Sequence, residues 1–229
     1  MEIKSRERLI FEQKRSYILR FCYIFYFFCA FSSVRTGMMR VRTMTVYERL
    51  LERAFDQHGF IRAAQARELS INPAILRQLA AVGRLEHRGW GLYRLAAIPI
   101  TQRDEFQEAV LWANGLGVIS GESALALWDL ADVNPMKIDI VVPTNYQPRR
   151  QGRERYRIRR RNLQISDIEK VDNIAVAAPK LAIGDAIKAG VSGELIEQAI
   201  ANAKARELIG TVTEARLRVQ LADRGTPKN

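Results

Sequence analysis

The clearest pattern of apolar and polar positions along the chain lies between Gly59 and Leu95. After Asn72 and Pro73, apolar residues recur at positions 75, 76, 79 and 82, the spacing of one helical face. Asn is a favoured N-cap residue, and Pro at the first helical position loses no hydrogen bond. Gly83 suits the left-handed conformation in which many helices end. The pattern therefore predicts a helix that begins at Pro73 and ends before Gly83.

The segments around this helix predict a small module. A helix over Ala63–Leu69 precedes it, and the three residues between the two helices match the turn of a helix-turn-helix. An earlier helix over Val46–Gln57 has its own apolar stripe. Residues 85–95 predict a hairpin around two glycines, whose second strand, Leu92–Leu95, alternates as a half-buried strand does. Residues 44–97 are therefore predicted to form a winged helix-turn-helix.

The second half of the sequence contains segments with the apolar spacing of helices and segments with that of strands. Helices are predicted over residues 104–114, 122–130, 179–188, 192–203 and 213–222. Extended segments are predicted at 118–120, 137–143 and 155–160, with a hairpin over 168–177. The fold class is thus α+β: an N-terminal winged helix-turn-helix over 44–97, then a mixed α+β domain over 98–224 and a tail at 225–229.

Residues 1–43 differ from the rest, because they contain an apolar and aromatic run, Phe21–Phe31. The run is shorter than the ~20 residues that a transmembrane helix needs. Three interpretations stay open: a translation start later in the chain, at Met38, Met39 or Met44; a genuine membrane-associated or partner-binding extension; and a signal peptide.

Charge points to a polyanionic partner. The formal net charge is +11, which favours binding to nucleic acid. It is uneven, because residues 44–95 carry +3, residues 96–148 carry −5 and residues 149–170 carry +6. The two cysteines form no zinc-binding pattern, so no metal and no cofactor is predicted.

In a winged helix-turn-helix the second helix enters the major groove, where Arg pairs with guanine and Gln with adenine. The outward positions of the predicted helix include Arg77 and Gln78. Other basic or polar side chains of the module would contact phosphates or the minor groove. Alternatively, the module binds protein and Arg77 is a solvated surface charge. For Trp90, packing on the base of the wing is an alternative to DNA contact. The predicted DNA-binding residues are Asn72, Ala74, Arg77, Gln78, Arg62, Gln65, Arg67, Arg88, Trp90 and Arg94.

A second basic segment follows in the α+β domain. An arginine-rich loop and strand could track a phosphate backbone, or the arginines could keep an edge strand soluble. The candidate phosphate or partner contacts are Arg149, Arg150, Arg153, Arg155, Arg157, Arg159, Arg160 and Arg161.

Catalytic motifs are lacking from the sequence. There is no nucleophile elbow, no zinc-protease motif and no phosphate loop. Asp139 lies in a predicted strand, as acidic residues of nucleotidyltransferases do, but no second carboxylate follows two residues later. The chain is therefore predicted not to be an enzyme and to use no small-molecule substrate.

The segments GFIRAAQARELSINPAILRQLAAVGRLEHRGWGLYRL, VISGESALALWDLAD and IDIVVP occur in this order. Together they resemble the AbiEi-type antitoxins of type IV toxin–antitoxin systems, over about Thr45 to Leu221. The resemblance implies a cytoplasmic protein that represses its own operon by binding operator repeats in double-stranded DNA, and a homodimer on the DNA is expected. It also implies an antitoxin domain that counters a nucleotidyltransferase-like toxin, without an assured direct complex. The alternatives are a transcriptional regulator without antitoxin activity and a nucleic-acid-processing enzyme.

Overall fold

The structure is a computed structural model that describes residues 44–148 and 152–225. The described residues all belong to one compact unit, which begins at Met44. The predictions made for residues 1–43, for Arg149 and Arg150, and for the end of the tail at 226–229 lie outside the described residues.

The first part of the unit has the predicted elements and one more. The additional element is a short strand, Phe60–Arg62, which the sequence pattern did not reveal because it spans three residues. The elements in chain order are helix α1 Val46–Phe55, strand β1 Phe60–Arg62, helix α2 Ala63–Glu68, helix α3 Pro73–Ala81, strand β2 Leu85–Gly89 and strand β3 Leu92–Leu95.

Side-chain caps fix where two of the helices begin. Helix α1 starts with a capping box, in which the Thr45 hydroxyl accepts a hydrogen bond from the backbone N–H of Glu48 at 3.2 Å. Helix α3 starts at the predicted N-cap, because the Asn72 side-chain oxygen accepts the Ala74 N–H at 2.9 Å. The local sequence therefore determines the start of the helix that was predicted to contact DNA.

Strand β3 is the middle of a three-stranded antiparallel sheet, in the order β1-β3-β2. All four of its residues are buried, so the prediction of a half-buried strand was wrong. One face of the sheet, which includes Tyr93 and Leu95, packs on helices α1 to α3. The other face includes Leu92, which packs against Leu111 of the following helix. Because both faces of β3 are covered, none of its side chains alternates toward solvent.

The second part has the predicted elements with small changes at their ends, and it is mixed α+β. Among the residues described, it contains helices α4 Asp104–Trp112, α5 Gly121–Leu127, α6 Pro179–Ala189, α7 Gly193–Ala205 and α8 Thr211–Gly225, and strands β4 Val118–Ile119, β5 Ile138–Val142, β6 Tyr156–Arg160, β7 Ile168–Val171 and β8 Ile174–Ala177.

These five strands form one sheet in the order β6-β5-β4-β8-β7. Strand β4 runs antiparallel to β5 and parallel to β8, and β6 runs parallel to β5 at the edge. Helix α5 packs against α6, which also contacts α7 and α8. The arginine-rich segment predicted as a strand is therefore an edge strand, beside a β5 that is buried along its whole length.

None of the helices among the described residues is both long enough and apolar enough to cross a membrane.

Candidate nucleic-acid interface

Helix α3 presents polar side chains to solvent. It packs against α2 and β2, with Leu76 buried in the core beneath it. On its outer side Arg77 and Gln78 are both exposed. No salt bridge or side-chain hydrogen bond to another described residue involves either side chain. Their donors are therefore available to a ligand.

The residues next to this surface differ in how freely they can reach a ligand. Arg67 of α2 is exposed, and Ala74 is half-buried. Asn72 is exposed, and its side-chain oxygen caps the helix, so its amide N–H groups are the donors that remain for another partner.

Trp90 lies at the tip of the β2–β3 hairpin and is 58% exposed. Its φ of +42° is left-handed, between two glycines that also have positive φ. More than half of the residue's surface is therefore open to solvent, where it can contact a partner.

Arg94 was predicted to contact DNA, and the structure contradicts this. The residue is only 3% exposed. Its Nε donates to the Asp104 carboxylate at 3.0 Å, and its Nη2 donates to the Ile98 carbonyl at 2.7 Å. The guanidinium is thus enclosed in the protein and cannot reach a phosphate.

Gln65 and Arg62 are also held inside the protein. Gln65 is buried and donates to the Gln57 side chain at 2.8 Å, so its predicted phosphate contact is wrong. Arg62 is half-buried, and its Nη1 donates to both the backbone and side-chain oxygens of Asn114, at 2.7 and 2.8 Å. Its guanidinium therefore joins the two parts of the unit, with Nη1 already engaged by Asn114.

Arg88 is partly exposed, but it is tied to the second part of the unit. Its Nη2 donates to Oε2 of Glu108 at 3.2 Å, while Arg155 donates to Oε1 of the same carboxylate at 3.1 Å. The Glu108 side chain is 7% exposed. One buried carboxylate of α4 therefore fixes an arginine of the hairpin and an arginine from the segment before β6.

Strand alternation explains why three of these arginines are paired within the protein. Side chains alternate between the faces of a strand, so Arg62, Arg88 and Arg94 all lie on the face of the sheet that points toward α4. Asp104 and Glu108 come from the part of the sequence with a net charge of −5. The alternation in the strands and the acidic helix that follows were the two signals in the sequence that could have identified these ion pairs.

Three arginines of the second basic segment are paired with carboxylates in the same way. Arg157 donates to Asp139 at 3.3 Å, and Arg159 lies 4.0 Å from the same carboxylate. Arg161 binds both oxygens of Asp185, at 3.0 and 2.6 Å. These arginines neutralise carboxylates that are almost fully buried, so their position in the fold is explained without a nucleic acid.

Asp139 is enclosed rather than open to a substrate. It is 1% exposed, and its backbone N–H donates to the Ser123 hydroxyl at 2.9 Å. Burial raises the pKa of Asp139 above its usual range, while the neighbouring Arg157 and Arg159 oppose that rise. Among the described residues, no three His, Cys, Asp or Glu side chains are arranged to hold a metal ion. Within the described residues, Asp139 is therefore paired with Arg157 and Arg159 inside the protein.

A cleft of about 730 Å³ lies beside the ion pairs that join the two parts of the unit. Both parts line it, with Arg88 and Arg94 from the first part and Glu108, Asp129 and Asp132 from the second. Arg88 and Arg94 are paired with acidic residues there, so their charges are largely balanced within the protein.

Comparison with known proteins finds a distant structural similarity. No protein-family model matches the chain, and no curated protein matches it. Among solved structures, the RV2827C protein from Mycobacterium tuberculosis is similar, with 14% sequence identity and a TM-score of 0.40 over 82% of this chain and 84% of that one. At this distance the similarity supports no statement about function.

Proposed function

We propose that this protein is a DNA-binding transcriptional autorepressor, and that residues 44–97 act as a winged helix-turn-helix. The observation that carries the proposal is the exposed outer side of helix α3, where Arg77 and Gln78 have no partner within the described residues. Arg can bond guanine and Gln can bond adenine through two hydrogen bonds each in the major groove. The second helix of such a pair is the element that enters that groove.

The neighbouring surface supports the same orientation. Arg67 on α2 and Trp90 at the hairpin tip are exposed, which suits contacts with the backbone on either side of the groove. The arginines on the opposite face of the sheet are engaged with α4. The part of the module that we assign to DNA is therefore the part not covered by the rest of the protein.

We further propose, from the resemblance to AbiEi-type antitoxins, that residues 98–224 counter a nucleotidyltransferase-like toxin in the cytoplasm, and that DNA is bound by a homodimer. A regulator without antitoxin activity has the same α3 surface and is the closest alternative. An enzyme is less favoured because Asp139, the one acidic residue considered for chemistry, is buried beneath Arg157 and Arg159.

The test of repression is a reporter fused to the chain's own promoter. Wild type is expected to repress it, and the Arg77→Ala, Gln78→Ala double variant is expected to lose repression at equal protein level. A reporter that responds equally to both proteins contradicts the assignment of α3.

The test of antitoxin activity uses the same double variant. Cells that express the neighbouring toxin gene are expected to grow when either wild type or the variant is present, because both have an intact second part. If neither protein restores growth while wild type still represses the reporter, the protein is a regulator without antitoxin activity.

A further inference from the structure

The arginines between residues 153 and 161 fall into two groups. Arg155, Arg157, Arg159 and Arg161 each bind a carboxylate of Glu108, Asp139 or Asp185. All three carboxylates are buried. Pulling such an arginine away to a ligand leaves a buried charge without its partner, which is strongly unfavourable. This group is therefore committed to the fold.

Arg153 and Arg160 form the second group. Both are exposed, and neither forms an ion pair or a side-chain hydrogen bond with another described residue. Arg153 lies in the 3-10 turn before β6, and Arg160 is the last residue of that strand. Strand alternation places Arg160 on the face opposite Arg157 and Arg159, away from the buried carboxylates.

Both free arginines line one small notch. It has a volume of about 110 Å³, and its other lining residues are Gln147, Pro148 and Ile158. No acidic residue of the described ranges lines it, although Glu154 directly follows Arg153 in the chain. Two guanidinium groups thus face a space with an amide beside them and apolar groups at its wall.

This arrangement suits an oxyanion. Each guanidinium carries five N–H donors and remains charged at any physiological pH. Arginine also matches the geometry of phosphate with paired hydrogen bonds. Two like charges around one notch repel each other until an anion lies between them. A carboxylate from the protein supplies that anion for the first group of arginines, and no carboxylate in the described part of the chain does so for Arg153 and Arg160.

We infer that the notch between Arg153 and Arg160 binds a phosphate group of the DNA backbone. The inference rests on the proposed function for the identity of the ligand. The first group of arginines then stabilises the fold by pairing with buried carboxylates, and the second group forms one phosphate contact. Helix α3 would supply sequence choice, and the notch would add affinity that is independent of sequence.

The test is the salt dependence of DNA binding by the full chain. Each phosphate neutralised on B-DNA contributes about 0.9 to the slope of log K against log salt. We expect the Arg153→Ala, Arg160→Ala variant to have a slope smaller by about 1, with the wild-type preference for promoter over scrambled DNA. Both side chains are exposed, so its unfolding midpoint in urea is expected to equal that of wild type.

The matched control removes two positive charges elsewhere. Lys188 and Arg216 are exposed and unpaired within the described residues, and the Lys188→Ala, Arg216→Ala variant has the same net charge as the notch variant. Its slope is expected to remain that of wild type. An unchanged slope in the notch variant, or an equal loss in the control, overturns the phosphate site.

The two proposals fail in different ways. If the α3 variant loses promoter preference while the notch variant keeps the wild-type slope, only the notch is wrong. If wild type binds promoter and scrambled DNA equally, but the notch variant still loses slope, the phosphate site stands and sequence-specific repression is wrong. If wild type binds neither DNA, both proposals are overturned.

Discussion

Replacing Arg94 by methionine separates a structural role from a DNA contact. Arg94 is 3% exposed and pairs with Asp104, whose side chain is 10% exposed. Methionine keeps much of the apolar volume but removes the charge, which leaves the Asp104 carboxylate buried without its guanidinium. Breaking a buried ion pair from one side costs about 3–5 kcal/mol of unfolding free energy.

The expected loss for Arg94→Met lies at the lower end of that range. Asp104 keeps two other hydrogen bonds, from the Thr101 backbone N–H at 3.1 Å and the Thr101 hydroxyl at 2.6 Å. These donors partly stabilise the carboxylate when the arginine is gone. We therefore expect Arg94→Met to lower the free energy of unfolding by about 3 kcal/mol.

Urea unfolding of four proteins tests this value: wild type, Arg94→Met, Asp104→Asn and the double variant. The double variant has no unpaired charge. Its loss of unfolding free energy is therefore expected to be smaller, by about 1–3 kcal/mol, than the sum of the losses in the two single variants. The slope of free energy against urea should be the same for all four. DNA affinity per folded molecule should also be the same.

A loss below about 1 kcal/mol for Arg94→Met, with additive single effects, would refute the buried pair, since partners in contact couple more strongly than that. If Arg94→Met binds DNA more weakly but is as stable as wild type, Arg94 contacts DNA.

Three further predictions concern single side chains. Burial raises the pKa of Asp139 above 3.8 in the folded state. The contribution of Asp139 to the unfolding free energy is therefore fully present below pH 3.8 and is lost as the pH rises through the raised pKa. Asp139→Asn, which cannot ionise, should lack this loss when urea unfolding is measured at the same pH values. Burial raises the pKa of Tyr156 from 10.0 to about 12. The free energy of unfolding of wild type should therefore fall by up to about 3 kcal/mol between pH 10 and 12, at about 1.4 kcal/mol per pKa unit. If Tyr156→Phe shows the same fall, the buried phenol is not its cause. Asn72→Ala removes the cap of α3 and is expected to lower the unfolding free energy by about 0.5–2 kcal/mol, whereas Asn72→Asp, another good cap, should lose little.

The sequence pattern was sufficient for most of the secondary structure. Helix α3 begins at the residue that the Asn-Pro pair predicts, because capping depends on groups within a few positions of each other. The three-residue strand β1 was missed, because its pairing with β3 is a contact between segments about thirty residues apart. A strand this short has too few positions to show a period.

The candidate site was predictable where exposure depends on one element alone. Arg77 and Gln78 follow from the helical period, and both are exposed. Arg94 and Arg157 were assigned to nucleic acid because charge is usually solvated, but their partners, Asp104 and Asp139, lie on other elements. Whether an arginine is free or paired therefore depends on tertiary contacts, which composition does not reveal.

The central claim, that the outer side of α3 selects the DNA sequence, is tested most directly by a ratio of two affinities. The ratio compares binding to the chain's own promoter with binding to a scrambled duplex of the same length, at one salt concentration. The control for Arg77→Ala with Gln78→Ala is Arg216→Ala with Gln220→Ala, which changes the same two residue types at exposed positions of α8. A good bidentate base contact contributes about 1–3 kcal/mol of discrimination, so the α3 variant should lose roughly 5- to 150-fold of the ratio per contact, and the control should lose none. An α3 variant with the wild-type ratio would contradict the account.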